Sequence, residues 1–236
     1  MAWLRLAFGN LRVNRRRTAI TLLSVAVGVG GLKVHQRGFH DDREMNIALA
    51  ERWNLAEDVS AVTGVAATTP RVTGHALASR ADQSRALQVM GVDSATEPHV
   101  TRLDRSIVRG RYLTGGNEIL VGVDAASALD VSPGDELVLV VQAADGSIGA
   151  DRFELVGVFE TGIKRIDGFV AQMPLASAQA MYAFQGRFTE IAARVQDADR
   201  LDEVVGTVRD RLRDQNVEVL GSCLVDGFIR SLVPET

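Results

Sequence analysis

The sequence is poor in the residues that support cross-links and metal-binding clusters. Its 236 residues include a single cysteine, Cys223, and only four histidines. One cysteine cannot form an internal disulfide, and it cannot build a cysteine-based zinc site. We therefore expect Cys223 to be an ordinary small residue near the end of the chain.

Motifs for catalysis and nucleotide binding are also missing. No serine lies in a nucleophile elbow, and the Gly-rich stretch over 28–31 is not followed by the Lys-Ser/Thr of a phosphate loop. His35 and His40 lie near Asp41 and Asp42, but this pattern is more typical of a solvated turn than of a metal site. We predict no catalytic residue, no metal site and no cofactor, and an exported enzyme is the weakest functional class.

A net positive charge is found at the N-terminus and not in the rest of the chain. Residues 1–17 contain five arginines and no acid, so the net charge of −4 for the whole chain leaves −9 for the rest. Elsewhere basic residues are interleaved with acidic ones, which argues against a nucleic-acid-binding face. A basic start before an acidic body fits the positive-inside rule, which predicts a cytoplasmic N-terminus and an extracytoplasmic body.

Long apolar runs are absent as well, because the run Ala19–Leu32 has only 14 residues. As a helix it is about 21 Å long, against about 30 Å of hydrocarbon in a bilayer. We predict a short membrane anchor formed by Ala19, Ile20, Leu22, Leu23, Val25, Val27 and Val29. The basic residues that we expect at the membrane surface, on anionic lipid, are Arg12, Arg15, Arg16 and Arg17.

Residues 1–17 predict an amphipathic helix in the membrane interface. The apolar residues at helical spacing are Trp3, Leu4, Ala7, Phe8 and Leu11. Two other interpretations of the N-terminus stay open, a cleaved signal peptide with small residues after its apolar centre and a buried core helix. We favour the anchor because the basic region is long and itself amphipathic. A twin-arginine signal fits poorly, since the residues after Arg17 do not match one.

The body of the chain predicts an α+β domain with a mixed or antiparallel sheet and helices to one side. Strands are indicated at Arg85–Asp93, Asn117–Asp124, Glu136–Ala143, Arg152–Glu160, Phe188–Gln196 and 216–221. Helices are indicated at Ala125–Leu129, Pro174–Phe184 and Asp197–Leu212. The pair Asp145-Gly146 predicts a hairpin between the third and fourth of these strands.

Several stretches resemble the MacB/LolC/FtsX-type permeases of ABC transporters. "LRLAFGNLRVNRRRTAITLLSVAVGVG" is similar to their amphipathic elbow helix, basic run and first transmembrane helix. "GVAATTPRV", "IVRGRYLTGGNEILVGVDAASALDVSPGDELVLVV" and "FELVGVFETGIKRIDGFVAQMPLASAQAMY" resemble successive segments of their extracytoplasmic core domain. The order and spacing of these segments carry the resemblance, which covers nearly the whole chain.

The resemblance implies three parts. These are an amphipathic elbow helix at 1–17, a short transmembrane segment at 18–32 and a MacB-like extracytoplasmic core domain at 33–236. It also implies a non-catalytic permease subunit of a lipoprotein-releasing or macrolide-export type of system, located in the inner cell membrane. The implied partners are a cytoplasmic ABC ATPase, a further permease subunit and membrane lipid.

The chain also departs from the pattern of these permeases. They continue into three more transmembrane helices, and their first helix is longer. We therefore expect a truncated permease subunit in which an internal deletion joins half of a helix to the core domain. A natural hinge at Gly28, Gly30 and Gly31 is the alternative. For function, the alternative is a membrane-tethered extracytoplasmic binding or adaptor domain that works without an ATPase.

Overall fold

The computed structural model describes residues 30–37, 49 and 53–223, which form ten strands and six α-helices. The strands are β1 (Gly30–Gln36), β2 (Val65–Arg80), β3 (Gln83–Val92), β4 (Ile107–Gly110), β5 (Glu118–Gly122), β6 (Glu136–Gln142), β7 (Ile148–Phe159), β8 (Val170–Pro174), β9 (Glu190–Val195) and β10 (Val217–Cys223). The helices are α1 (Trp53–Ser60), α2 (Glu97–Val100), α3 (Val123–Leu129), α4 (Lys164–Phe169), α5 (Leu175–Met181) and α6 (Leu201–Arg211). Short 3₁₀ helices span Leu103–Ser106 and Ala198–Arg200.

Six of the strands close into a barrel. Following the hydrogen-bonded pairs, β2 is joined to β3, then to β8, β5, β7 and β6, and β6 returns to β2. Two of these pairings, β3 with β8 and β5 with β7, are parallel, so the sheet is mixed. Closure removes the free edges that an open sheet of these strands would leave unpaired.

The barrel interior follows from the two-residue alternation of its strands. In β6, Leu137, Leu139 and Val141 are buried, whereas Glu136 and Val138, which alternate with them, are exposed. Successive side chains of a strand point to opposite faces, so one face of β6 fills the barrel and the other meets solvent. The aromatic ring of Phe153 on β7 is buried in the same cluster.

A smaller open sheet adjoins the barrel, with the strand order β10-β1-β9-β2. Its apolar face carries Leu32 and Ile191 and packs against α1 and α6, whose buried residues include Leu55 and Val205. The apolar positions of α6 recur at helical spacing and place Val204, Val205 and Val208 on this face.

Strand β2 belongs to both halves of the structure. It is 16 residues long, its first part pairs with β9, and the part from Arg71 onward pairs with β3. Arg71 is the crossover residue, since it pairs with Glu190 of β9 and with Val92 of β3. The position of the open sheet relative to the barrel is therefore fixed by one continuous strand.

The mixed sheet and the hairpin between β6 and β7 are confirmed, and three differences from the sequence-based expectations have clear causes. The helices do not all lie to one side, because α2 packs on the face of β2 and β9 opposite to α1 and α6. Strand β7 begins at Ile148, before the predicted Arg152, because it extends the hairpin with β6. Strand β1 begins at Gly30, so residues 30–32 of the predicted apolar segment belong to the sheet.

Candidate functional site at the junction of sheet and barrel

The residues predicted to meet the membrane lie outside the described part of the chain. They are the anchor residues Ala19, Ile20, Leu22, Leu23, Val25, Val27 and Val29 and the basic residues Arg12, Arg15, Arg16 and Arg17. Their roles therefore remain predictions. Among the described residues, no helix has the length and apolar character needed to cross a bilayer.

Both flanking segments join the domain at the same end of the open sheet. Residues 1–29 lead into β1 at Gly30, and residues 224–236 follow β10 at Cys223. Gly30 and Cys223 are directly paired across the antiparallel β1 and β10. We call this end of the sheet, marked by Gly30 and Cys223, the attachment end.

The open sheet has a charged face on the side opposite to α1 and α6. Lys33 of β1, Glu190 of β9 and Arg71 of β2 alternate with the apolar residues of their strands, so they share this face. Helix α2 covers part of it and supplies Glu97. All four side chains are buried, with exposed fractions between 0% for Glu97 and 6% for Lys33.

These four residues form one continuous charge network. The Arg71 guanidinium donates two hydrogen bonds to Glu97, from Nε to Oε2 at 2.9 Å and from Nη2 to Oε1 at 2.8 Å. Its Nη1 donates to Glu190 Oε1 at 3.3 Å. Lys33 Nζ lies 3.2 Å from the other oxygen of Glu190, Oε2. Thr101 Oγ1 donates to Glu97 Oε1 at 2.8 Å, which adds a hydroxyl to the network.

The network balances two cations with two carboxylates. Burial disfavours the charged form of Glu190, but the charges and hydrogen bonds of Lys33 and Arg71 outweigh it and lower the pKa of Glu190 to about 2. Burial also opposes the charge on Arg71, and the carboxylates of Glu97 and Glu190 overcome it and raise the Arg71 pKa above its usual value. Glu190 and Arg71 are therefore both charged at neutral pH.

The hydroxyl of Thr189, the residue just before β9, makes a second connection to β2 at Arg71. Thr189, which is fully buried, donates from Oγ1 to the Arg71 carbonyl at 3.1 Å and accepts from the Thr73 backbone N–H at 2.8 Å. Since Arg71 is the residue where β2 passes from the open sheet to the barrel, these bonds stabilise the junction between the two halves. The arrangement holds two parts of the domain together.

A second charged contact shapes the loop between β4 and β5. The Glu118 carboxylate accepts from Arg111 Nη2 at 2.6 Å and from the Thr114 N–H at 2.7 Å and Oγ1 at 2.8 Å. The hydrogen bond from Arg111 is the largest cause that lowers the pKa of Glu118 to about 2. These residues belong to the segment "GRYLTGGNE", which the sequence analysis singled out, and their contacts explain it as a loop that Glu118 organises.

The segment "FETGIKRIDG" connects the end of β7 to α4, and Asp167 of α4 organises the turn between them. The Asp167 side chain, which is 4% exposed, accepts from the Thr161 N–H and Oγ1 at 2.8 and 2.7 Å and from the Gly162 N–H at 3.0 Å. Gly122 of β5 lies against this turn, and a Cβ there would come within 2.3 Å of the Asp167 carbonyl oxygen. Only glycine allows that approach.

The described residues contain no group of three or more His, Cys, Asp or Glu side chains that could hold a metal ion. The expectation that His35 lies in a solvated turn is wrong. His35 belongs to β1 and is 1% exposed, because the strand continues through it to Gln36. His40 lies outside the described residues. Sequence reasoning also missed the buried network, since no local pattern marks its four charges as buried.

Comparison with known proteins assigns this chain to a family. The sequence profile of the MacB-like periplasmic core domain matches residues 19–211, most of the chain. This chain belongs to the MacB-like periplasmic core domain family. The match begins at the first residue of the predicted apolar segment and extends through α6. It confirms the resemblance to MacB/LolC/FtsX-type permeases.

One curated relative is the lipoprotein-releasing system transmembrane protein LolC of Neisseria meningitidis serogroup B (strain ATCC BAA-335 / MC58). It is 24% identical over 264 residues that cover 98% of this chain. This chain spans 59% of the length of that relative. The alignment is longer than the 236 residues of the chain, so the relative contains segments with no counterpart here.

Two solved structures share the fold. The periplasmic region of MacB from Actinobacillus actinomycetemcomitans superposes with a TM-score of 0.57 at 14% identity, over 88% of this chain and 96% of that one. The extracellular domain of the noncanonic ABC-type transporter YknZ from Gram-positive bacteria gives 0.55 at 14% identity, over 80% and 99%. At these identities the likeness concerns the fold, and it confirms the predicted mixed-sheet domain of the MacB type.

Proposed function

We propose that this chain is an extracytoplasmic subunit of an ABC permease system, tethered to the cell membrane by the part of the apolar segment that precedes Gly30, since residues 30–32 belong to β1. The observation that carries the proposal is the family match, which includes both the domain and the apolar segment before it. Residues 1–29 and 224–236 both join the domain at the attachment end. This supports a domain whose attachment end faces the membrane. The cytoplasmic N-terminus is proposed from the five arginines of residues 1–17.

The domain acts without covalent chemistry. Its role is to bind or pass on a substrate outside the cytoplasm, while a cytoplasmic ABC ATPase and a further permease subunit supply the driving force. The curated relative is a lipoprotein-releasing protein by its name, so the substrate class that we propose is a lipid-modified protein. The charge network at Arg71 serves this role by keeping sheet and barrel together when a partner moves the attachment end.

Affinity purification of the full chain from native membranes tests the proposal. We expect an ABC ATPase and a second permease subunit to co-purify in mild, non-ionic detergent. A matched control is the Val25→Arg variant, which disfavours the membrane segment and leaves the domain unchanged. Recovery of the chain from the membrane fraction without any ATPase would favour the alternative, a tethered binding or adaptor domain.

A further inference from the structure

A partly buried arginine at the attachment end has no carboxylate partner among the described residues, in contrast to Lys33 and Arg71. Arg194 of β9 pairs with Gly31 of β1 and with Ala67 of β2. Gly31 is the second residue of β1, so Arg194 lies beside the point where residues 1–29 enter the domain. Its side chain is on the same face as Glu190, four residues earlier in the strand.

Two further arginines are brought to this place by the segment after α2. Val100 at the end of α2 packs against Ala67 and Ala192, the neighbours of Arg194 in the sheet. The chain then turns at Arg102, whose φ of +58° is in the left-handed region, and enters the 3₁₀ helix that carries Arg105. Packing of α2 on the sheet therefore positions Arg102 and Arg105 near Arg194.

The three guanidinium groups form no ion pair within the part of the chain that the structure describes. Among the described residues, none of them lies within ion-pair distance of an acid, and Arg194 Nε is shielded from solvent without a hydrogen-bond partner. Partial burial and the positive charges of Arg102 and Arg105 lower the pKa of Arg194 below its usual value. Asp104 lies between Arg102 and Arg105 in sequence, and its Oδ1 is also shielded from solvent without a hydrogen-bond partner.

We propose that Arg102, Arg105 and Arg194 form a binding site for the phosphate group of an anionic phospholipid at the membrane surface. Repulsion among three guanidiniums is unfavourable without a bound anion, and the negative charge of a bound phosphate offsets that repulsion. Arginine presents a planar fork of donors that matches phosphate oxygens, and Arg194 Nε is a donor that is still unused.

The choice of a lipid as the source of the phosphate rests on the proposed function. If the apolar residues before Gly30 are in the membrane, the attachment end faces the head groups, and Arg194 pairs with Gly31, one position from that end. A basic residue near an anionic membrane surface gains about 1 kcal/mol, which corresponds to roughly fivefold in affinity. Removal of all three arginines should then weaken binding of an anionic lipid roughly a hundredfold.

The test uses the full chain in a neutral detergent, so that head-group binding is measured independently of tethering. Short-chain phosphatidylglycerol, short-chain phosphatidylcholine or inorganic phosphate is titrated in, and hydrogen–deuterium exchange of peptides covering 100–106 and 190–196 is followed. We expect phosphatidylglycerol to slow exchange in both peptides and the other two probes to have little effect. The Arg102→Gln/Arg105→Gln/Arg194→Gln variant should lose this protection.

Two further variants keep the test specific. Arg109→Gln/Arg152→Gln/Arg213→Gln removes the same charge from exposed positions and should keep the protection. Arg102→Gln/Arg105→Gln leaves β9 untouched, and should lose most of it even if the triple variant does not fold. Equal protection by inorganic phosphate would overturn the assignment to lipid. Unchanged protection in the double variant would overturn the site.

Flotation of the full chain with vesicles separates this inference from the proposed function. A chain that binds phosphatidylglycerol through the three arginines but does not float with vesicles has the site without the membrane tether. A chain that floats with zwitterionic and anionic vesicles alike, and shows no protection by phosphatidylglycerol, has the tether without the site.

Discussion

Arg71 and Glu97 are joined by two parallel hydrogen bonds of 2.9 and 2.8 Å in a place that solvent does not reach. Arg71 is 2% exposed and Glu97 is fully buried. Glu97 follows β3 of the barrel and Arg71 is where β2 leaves the open sheet, so the pair connects the two halves of the domain. In a medium of low dielectric, such a pair is tolerated only when both charges are matched.

Removal of either partner of this pair should strongly destabilise the domain. We expect Arg71→Met or Glu97→Leu to lower the free energy of unfolding by about 3–5 kcal/mol, because each leaves an uncompensated buried charge. Urea unfolding of the full chain in mild detergent, followed by circular dichroism, measures the change. The exposed pair Arg213–Asp210 is the control, and Arg213→Met should change stability little. A loss below about 1 kcal/mol for both buried substitutions would contradict this account of the junction.

The domain should need its first strand from Gly30 onward. Strand β1 is paired on both sides, with β10 and β9, and Leu32 in it is fully buried. We expect a form that starts at residue 29 to fold cooperatively and a form that starts at Lys33 to lose much of its stability, because Gly30, Gly31 and Leu32 would be missing. Thermal unfolding of the two forms tests this. Equal unfolding temperatures for the two forms would show that residues 30–32 of β1 do not contribute to stability.

Stability should fall in acid because of the depressed carboxylate pKa values. The folded-state pKa of Glu190 is about 2, below its ordinary value of 4.5. A lowered pKa contributes stability above the unfolded-state value, and that contribution is lost as pH falls from about 4.5 toward about 2. For this shift the loss approaches about 3 kcal/mol. Urea unfolding at several pH values measures it, and a stability that does not change below about pH 4.5 would contradict the network.

The loop residue Glu118 should contribute to the same acid slope. Its pKa is also lowered to about 2, chiefly by the hydrogen bond from Arg111. The Glu118→Gln variant should therefore be less stable at neutral pH and should lose less stability on acidification than the unmodified chain. Glu136→Gln is the control, since its ion pair with Arg152 is long at 3.6 Å and exposed. Parallel acid profiles for the unmodified chain and Glu118→Gln would count against the role of this loop.

The barrel was the more predictable half of the fold. Strand β6 has one face in the core, so its sequence alternates, and the Asp-Gly pair between β6 and β7 marks the hairpin. Strand β2 is harder to recognise from the sequence, because its exposed and buried residues do not follow the usual hydrophobic pattern. Its exposed Leu77 is 48% accessible, while the buried neighbours on either side, Ala76 and Ala78, are small. Hydrophobic periodicity therefore points the wrong way along that strand.

The candidate site could not be read from the sequence because its charges come from four separate segments. Lys33, Arg71, Glu97 and Glu190 are each of a type that is normally exposed. Only the register of β1, β2 and β9 and the packing of α2 bring them together and make burial acceptable. The partners of Glu118 and Asp167 are neighbours along the chain, but the sequence analysis predicted neither set of contacts.

The apolar segment should make membrane association sensitive to a single charge. Leu22, Leu23, Val25 and Val27 together favour insertion by roughly 1–2 kcal/mol, and one arginine at the helix centre opposes it by about 2.5–3.5 kcal/mol. Val25→Arg should release the chain from membranes, whereas Val25→Leu, the control, should not. Insertion of six leucines after Val27 should make the chain resist carbonate extraction. An unmodified chain that already resists carbonate would show that the segment is a full anchor.

The central claim is that the domain lies outside the cytoplasm, and the accessibility of Ile148 tests it most directly. Ile148 begins β7 at the hairpin and is 78% exposed, so a cysteine there should react freely. In a Cys223→Ser background, Ile148→Cys is treated with a membrane-impermeant maleimide in spheroplasts, and Ala2→Cys serves as the cytoplasmic control. The account predicts that Ile148→Cys is labelled before lysis and Ala2→Cys only after it. Labelling of Ile148→Cys only after lysis would contradict the account.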